Sequence, residues 1–341
     1  MKIHILYEFK AGPWGGGNQF LKALRTEFQS QGVYANNTDE ADVIIANANP
    51  AMIPTLLRRL PLLRSSANAP AIILRIDGPI GLVRGKDHFI DQLLKQIARR
   101  YCDGIIWQSA WSKQASEQLG FAPDSSRVIH NAPDSRVFYP AQKHPGSKPS
   151  KVKIIATSWS PGLGKGFDVY QYLDSNLDWS RYEMTFVGNT PVEFANIRVI
   201  APVVSPDLAD LLRDHDLYIT ASRNDPCSNS LLEALACGLP VVIRDSGGHP
   251  ELAPGAVRFS DQQDVLAAIA SGPAVSMTAT SPARSLQEVA QEYMAYSSCV
   301  RHSGYQPNSR SAKRLQAAAL QVAYRGYQLG KIGRKYIGYG R

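Results

Sequence analysis

The stretch Ala221-Ser-Arg-Asn-Asp-Pro-Cys-Ser-Asn-Ser-Leu-Leu-Glu-Ala-Leu-Ala-Cys-Gly-Leu-Pro240, followed by Val241-Val-Ile243 and Asp245-Ser-Gly-Gly-His-Pro-Glu251, decides how the chain is read. Residues 217–220 are a short apolar run, 222–228 form a polar loop holding a proline, and 231–236 are strong helix formers stopped by Gly238. That order spells strand, loop, helix, strand. Ser228 or Asn229 is a natural N-cap, so the amides that follow, at Ser230 and beyond, are unpaired. With the helix dipole behind them they offer a seat for a phosphate. Asn229 and Glu233 are four apart and share a helix face. Glu233 therefore lies one turn behind that seat, where a carboxylate can accept hydrogen bonds from sugar or ribose hydroxyls without meeting the phosphate. Asp225 is a second carboxylate at the loop's edge. Helix capping alone accounts for the same residues, with Asp225 as a cap and Glu233 as a solvated helix position.

Working outward, the pattern alternates in both directions. Upstream lie a strand at 152–157, a helix through Leu173, strands at 183–188 and 197–200, and a helix at 206–213; downstream come a strand at 256–259 and helices at 265–269 and 286–296. The first half repeats the scheme, with strands at 2–7, 43–46, 71–76, 104–107 and 127–130. Helices are read at 52–63, 89–101 and 111–119, and Phe20, Leu21, Leu24 and Phe28 recur at helical spacing after the first strand. Alternating strands and helices predict parallel sheets covered on both faces, with ligands at the carboxyl ends of the strands. The glycines of Gly12-Pro-Trp-Gly-Gly-Gly17, Gly16 and Gly17 among them, allow either a close approach of backbone to a ligand or a plain tight turn. Residues 141–150 hold two prolines and a glycine without apolar periodicity, the composition of a linker. Gly164-Lys165 is not a Walker loop, because Gly166 stands where Ser or Thr belongs and Trp159 where the first glycine belongs. Asp214-His-Asp216 closes a helix and opens a strand, so Asp216 is expected at a boundary and His215 at the surface. One acidic pair is not a convergent ligand set, and no metal is expected.

Asp225-x7-Glu233, continuing through Ala-Leu-Ala-Cys-Gly-Leu-Pro-Val-Val to Gly247-Gly248-x-x-Glu251, resembles the signature of retaining GT-B-type nucleotide-sugar glycosyltransferases, glycosyltransferase family 4. Asn131-Ala-Pro-Asp134-Ser-Arg-Val-Phe138-Tyr-Pro140 resembles the segment that closes that family's first domain. The resemblance implies two Rossmann-like domains facing a cleft: an acceptor side at 1–140, a linker at 141–150 and a nucleotide-sugar side at 151–283. A helix at 284–299 crosses back to the first domain, and 300–341 lies outside the resemblance as a basic tail. It implies that Glu233 holds the nucleotide ribose and Asp225, a shortened first acid, the transferred sugar. Lys165 matches the cation that neutralises the diphosphate, whereas Ser160 stands where a second cation, an arginine, is usual. Arg223 and Arg244, at the ends of neighbouring predicted strands, are the candidates to replace it. Ser228, Asn229, Ser230, Gly16 and Gly17 complete the expected donor contacts. In the family the loop after the third strand faces the reacting sugar. Here it offers Asp77, to orient or deprotonate the acceptor hydroxyl, or merely to start an Asp-Gly-Pro turn.

The chain has 341 residues, 44% hydrophobic and 19% charged, enough for about two domains, each with its own core. The first residues hold no secretory h-region, and no run approaches the roughly 20 apolar residues of a membrane helix, so a cytoplasmic protein is expected. Its four cysteines, Cys102, Cys227, Cys237 and Cys299, are scattered and suggest neither zinc nor a disulfide framework. Charge is unevenly placed: after Glu292 there is no acid, while nine Lys and Arg supply more than the whole net +8. In residues 301–341, Leu315, Leu320, Val322 and Tyr324 with Arg314 and Arg325 suggest a helix of mixed apolar and basic character that Gly326, Gly330, Gly333, Gly338 and Gly340 then break. The tail is expected either to be solvated and partly disordered or to contact an anionic membrane surface at its inner face, with nucleic acid behind both. The expected activity is transfer of a sugar from a UDP-, GDP- or ADP-sugar to a glycan, lipid-linked or other hydroxyl acceptor, with retention, without cofactor, in polysaccharide or glycolipid synthesis. The rivals are a GT-B epimerase or phosphorylase, and a non-catalytic adaptor tethered by its tail.

Overall fold

A computed structural model of the chain describes residues 1–66, 68–140, 151–271, 284–303 and 310–337. The first half runs β1 (Ile3–Leu6), α1 (Gly16–Ser30), β2 (Val43–Ala48), α2 (Ile53–Arg64), β3 (Ala71–Ile76), α3 (Ile80–Arg84), α4 (His88–Tyr101), β4 (Gly104–Trp107), α5 (Ala110–Gln118) and β5 (Ser126–Val128). The second runs β6 (Val152–Ser158), α6 (Phe167–Asn176), β7 (Tyr182–Gly188), β8 (Arg198–Ile200), α7 (Ser205–Arg213), β9 (Leu217–Thr220), α8 (Asn229–Ala236), β10 (Val241–Arg244), α9 (His249–Leu252), β11 (Val257–Phe259) and α10 (Val265–Ser271). Two helices follow, α11 (Leu286–His302) and α12 (Arg310–Ile337). The segment read as a linker, 141–150, lies outside the described residues.

The strands form two separate sheets, ordered β1-β2-β3-β4-β5 and β11-β10-β9-β6-β7-β8, with neighbours parallel throughout. β2 is buried at every position, as a central strand covered on both faces must be. On one face of the first sheet α2 and α4 bury Leu56, Leu60, Leu94 and Ile97; on the other α1 contributes Phe20, Leu21, Leu24 and Phe28. α11 belongs to this second face. Its capping box joins Ser285 and Glu288, and Val289, Tyr293 and Val300 pack among Ile3, Phe20 and Ile106. Full burial of each such side chain is worth roughly 1.5–3 kcal/mol, so α11 is fastened to the first half of the chain.

Three expectations change. α3 was not legible in Asp77-Gly-Pro; its first amides, Ile80 and Gly81, donate to the buried Asp91 carboxylate at 2.6 and 2.8 Å. His215 is buried, not at the surface: its ring nitrogens meet the Leu211 carbonyl at 2.6 Å and the Thr185 hydroxyl at 3.1 Å. Asp216 does sit at a boundary, accepting from the Lys153 amide at 3.0 Å. The third change is the tail, where α12 continues through Gly326, Gly330 and Gly333. Each interior glycine costs about 1 kcal/mol of helix propensity. Docking offsets this: Leu320, Tyr324 and Tyr327 pack on the core under α2 and α4, and Tyr327 stacks on Phe89 with ring centroids 4.8 Å apart.

Candidate functional site

The carboxyl ends of both sheets face one cavity of about 290 Å³. β9 leads into the loop 221–228 and α8 leaves it, with the Ser228 hydroxyl accepting from the Leu231 amide at 3.4 Å. Ser228 is therefore the N-cap, and the amides of Asn229 and Ser230 are among those a helix leaves unpaired at the pocket wall. The paired glycines of the motif now have a cause. A Cβ on Gly247 would come within 2.4 Å of the Asp225 carbonyl, and one on Gly248 within 2.3 Å of that of Pro226. The backbone before α9 crosses directly against this loop, which only glycine permits.

From the neighbouring strand, the turn after β6 brings Ser160 and Lys165 to the same cavity. The Lys165 ammonium lies 2.8 Å from the Asp225 carboxylate. Burial pushes the Asp225 carboxyl up, yet Lys165 and His249 outweigh it and hold the group below the usual carboxylate range. His249 is fully buried, donating Nδ1 to the Arg244 carbonyl at 3.2 Å, and burial keeps its own value low. Glu233 differs from Asp225. Its carboxyl keeps some surface in the pocket but has no hydrogen-bond partner among the described residues, and burial pushes it up to about 8.

The first half closes the cavity from the opposite side. Gly16 and Gly17 begin α1, whose N-terminus meets that of α8 so tightly that a Cβ on Gly16 would lie 2.4 Å from the Asn229 Cβ. Two helix N-termini and one lysine thus converge on a single space. Trp14 from the glycine loop and Trp159 from the turn after β6 span the mouth, ring centroids 5.5 Å apart. Arg75, fully buried at the end of β3, supports this arrangement. It donates to the Asn47 and Asn131 side-chain carbonyls at 2.5 and 2.7 Å, to Tyr293 at 3.0 Å and to Asp77 at 2.7 Å. Asn131 in turn donates to Asn229 at 3.0 Å, tying the start of α8 to the first sheet. A second tie is Glu251, whose carboxylate accepts from the Ala110 amide at 2.8 Å and the Trp111 amide at 3.3 Å and meets His130 at 2.5 Å. A residue of α9 thereby caps α5 across the cleft.

Nine of the residues singled out in the sequence line this cavity: Gly16, Gly17, Ser160, Lys165, Asp225, Ser228, Asn229, Ser230 and Glu233. Three do not. The Arg223 guanidinium is turned to Asp168 at 2.6 Å, and Arg244, half-buried and outside the cavity lining, has Nη1 buried and without a hydrogen-bond partner among the described residues. Neither supplies the cation absent at Ser160. Asp77 lies beside the cavity, held by Arg75 and by a 2.7 Å hydrogen bond from the Gln108 amide. The sequence reading missed Trp14, Asn131 as a bridge, and Arg75; the signal for Arg75 was a lone charge inside the apolar run 71–76.

Residues 180–272 match the family model of glycosyl transferases group 1. Sucrose-phosphate synthase from Thermosynechococcus elongatus superimposes over 96% of this chain and 100% of that one, with a TM-score of 0.60 at 14% identity. Anabaena Alr3699/HepE in complex with UDP-glucose covers 89% of this chain and 99% of its own, with a TM-score of 0.61 at 14% identity. The catalytic domain of starch synthase IV from Arabidopsis thaliana, bound to ADP and acarbose, covers 85% and 79% at a TM-score of 0.58 and 12% identity. An uncharacterized protein of Sulfolobus islandicus rod-shaped virus 1 is 23% identical over 185 residues, 48% of this chain and 51% of that protein. The chain thus spans about half the length of that curated relative. These likenesses establish the two-sheet GT-B fold over most of the chain, with the group 1 match in its second half.

Proposed function

We propose that this GT-B chain, whose second half carries the glycosyl transferases group 1 match, transfers a sugar from a nucleotide-sugar donor to a hydroxyl acceptor. The observation that carries the proposal is the convergence of the α1 and α8 N-termini with Lys165 on one cavity, backed one turn along α8 by Glu233. Unpaired amides and an ammonium suit a diphosphate. A half-buried carboxyl with no hydrogen-bond partner among the described residues suits a pair of vicinal hydroxyls, since these supply the hydrogen bonds it lacks.

In this reading Glu233 takes the ribose, Asp225 the hydroxyls of the transferred sugar, and Ser228, Asn229, Ser230, Gly16, Gly17 and Ser160 line the diphosphate. The acceptor oxygen bonds to the anomeric carbon as that carbon's bond to the diphosphate breaks. The electron pair leaves with the phosphate oxygen, and the acceptor proton passes to the released diphosphate. Charge on the leaving group grows in the transition state, where preorganised amides and Lys165 stabilise it most. Asp77, already fixed by Arg75, orients the acceptor hydroxyl. The proposal extends to retention of configuration and to a glycan or lipid-linked acceptor in polysaccharide or glycolipid synthesis.

A thermal-shift panel of UDP, GDP, ADP and their sugar conjugates tests it, because a ligand held only by the folded chain raises Tm. One nucleotide family should shift Tm in the native protein and fail to do so in Glu233→Ala. The matching sugar conjugate, incubated with hydroxyl acceptors, should then give a glycosylated product by mass spectrometry. No shift from any of the set would overturn the donor site; a shift without transfer or hydrolysis would make the chain a binding protein.

A further inference from the structure

We propose that the outward face of α12 is a docking surface for an anionic lipid bilayer. The helix contains Arg310, Lys313, Arg314, Arg325, Lys331, Arg334 and Lys335 and no acid. Its described side chains divide into two stripes. Leu320, Tyr324, Tyr327 and Lys331 follow one another at spacings of four, three and four and face the first half. The three apolar members join the α2 and α4 core, Tyr327 donates to Asp87 at 2.5 Å, and Lys331 pairs with Asp87 at 2.6 Å. Measured around the helix axis from Leu320, at about 100° per residue, Val322, Arg325 and Leu329 lie at about 200°, 140° and 180°, opposite that stripe. They point away from the protein: Val322 and Leu329 are each 69% exposed, and Arg325 is exposed between them.

A soluble helix docked on one face ordinarily shows polar residues on the other. Here the opposite face instead shows two aliphatic side chains, Val322 and Leu329, with Arg325 between them and no acid in the helix. That is the composition of a helix lying in a membrane interface, where apolar burial and attraction to anionic headgroups act together. Among the described residues no helix is long and apolar enough to cross a membrane, so the contact lies on the surface. Charge also chooses between occupants. A second copy of an acid-free face would repel this one, and a nucleic acid rewards the cations but has no use for Val322 and Leu329. The inference is independent of what the cleft binds.

The test uses the full chain with vesicles of phosphatidylcholine alone or mixed with phosphatidylglycerol. Binding should appear only with the mixed vesicles and weaken with added salt. Val322→Glu with Leu329→Glu, and separately Arg325→Glu, should each lower the partition coefficient about tenfold or more while leaving Tm nearly unchanged, since all three positions are exposed. No binding by the native chain, or undiminished binding by both variants, would overturn the proposal. So would dimerisation lost on Val322→Glu with Leu329→Glu, or retention on nucleic acid lost only in Arg325→Glu.

Discussion

Glu233 offers the sharpest quantitative test. In the folded chain its carboxyl stands at about 8 against an ordinary value of 4.5, and burial is the cause. Each pH unit above the unfolded value adds about 1.4 kcal/mol to the penalty, so at pH 7 a fully shielded group would cost roughly 3 kcal/mol. Glu233 keeps some surface in the cavity, and screening trims this to about 1–2 kcal/mol. Glu233→Gln removes the penalty while keeping the shape. The variant should therefore melt a few degrees higher than the native chain at pH 7. The sign follows from the direction of the shift: a raised carboxyl destabilises the fold only above its unfolded value. The gain should vanish near pH 4.5, grow through neutrality and level off above pH 8. Ligand binding should show the reverse face of the same balance. If ribose hydroxyls donate to the carboxylate, binding requires ionisation, and affinity for a nucleotide sugar should rise up to about tenfold from pH 6 to pH 7 with release of a proton. Titration calorimetry in buffers of different ionisation heat measures that proton. A Glu233→Gln variant that is less stable than the native chain at pH 7, or whose gain does not depend on pH, would refute the reasoning.

Lys165→Met should leave Asp225 buried without its cation, lowering stability by about 2–3 kcal/mol at pH 7. Because the native Asp225 carboxyl is held low, that difference should shrink as pH falls through its folded value; Lys165→Met with Asp225→Asn should recover most of the loss in denaturant melts. Glu251→Ala removes the acceptor of the Ala110 and Trp111 amides and the partner of His130. Small-angle scattering should then report a larger radius of gyration for the unliganded chain, and an unchanged radius would show that Glu251 does not hold the two halves together. Burial pushes the native Glu251 carboxyl up, but His130 and the amides bring it below its ordinary value. The closed form should accordingly persist in mild acid and open only below pH 4.5.

Much of this protein is written in local sequence. Parallel strands such as β3 and β9 are apolar runs of fixed length between turn signals, and their ends fall where the runs end. The motif residues of the second half were legible too, since Ser228, Asn229 and Glu233 are bound by helix periodicity, a relation within one turn of chain. What periodicity cannot state is which distant groups meet. The choice of Asp168 as partner for Arg223, and of Asp225 for Lys165, depends on how two loops from different strands cross. The union of α1 with α8 across the cleft is decided by packing between halves of the chain separated by some 200 residues. The tail makes the same point: glycine weakens a helix locally, so sequence predicts a break, whereas apolar contacts with α2 and α4 lie outside any local window and reverse the outcome. Residue type and spacing determined the strands, the helix N-terminus at Asn229 and the acid one turn behind it; only the tertiary structure decided which charges are neutralised, which carboxyl has no hydrogen-bond partner among the described residues, and which face of α12 meets solvent.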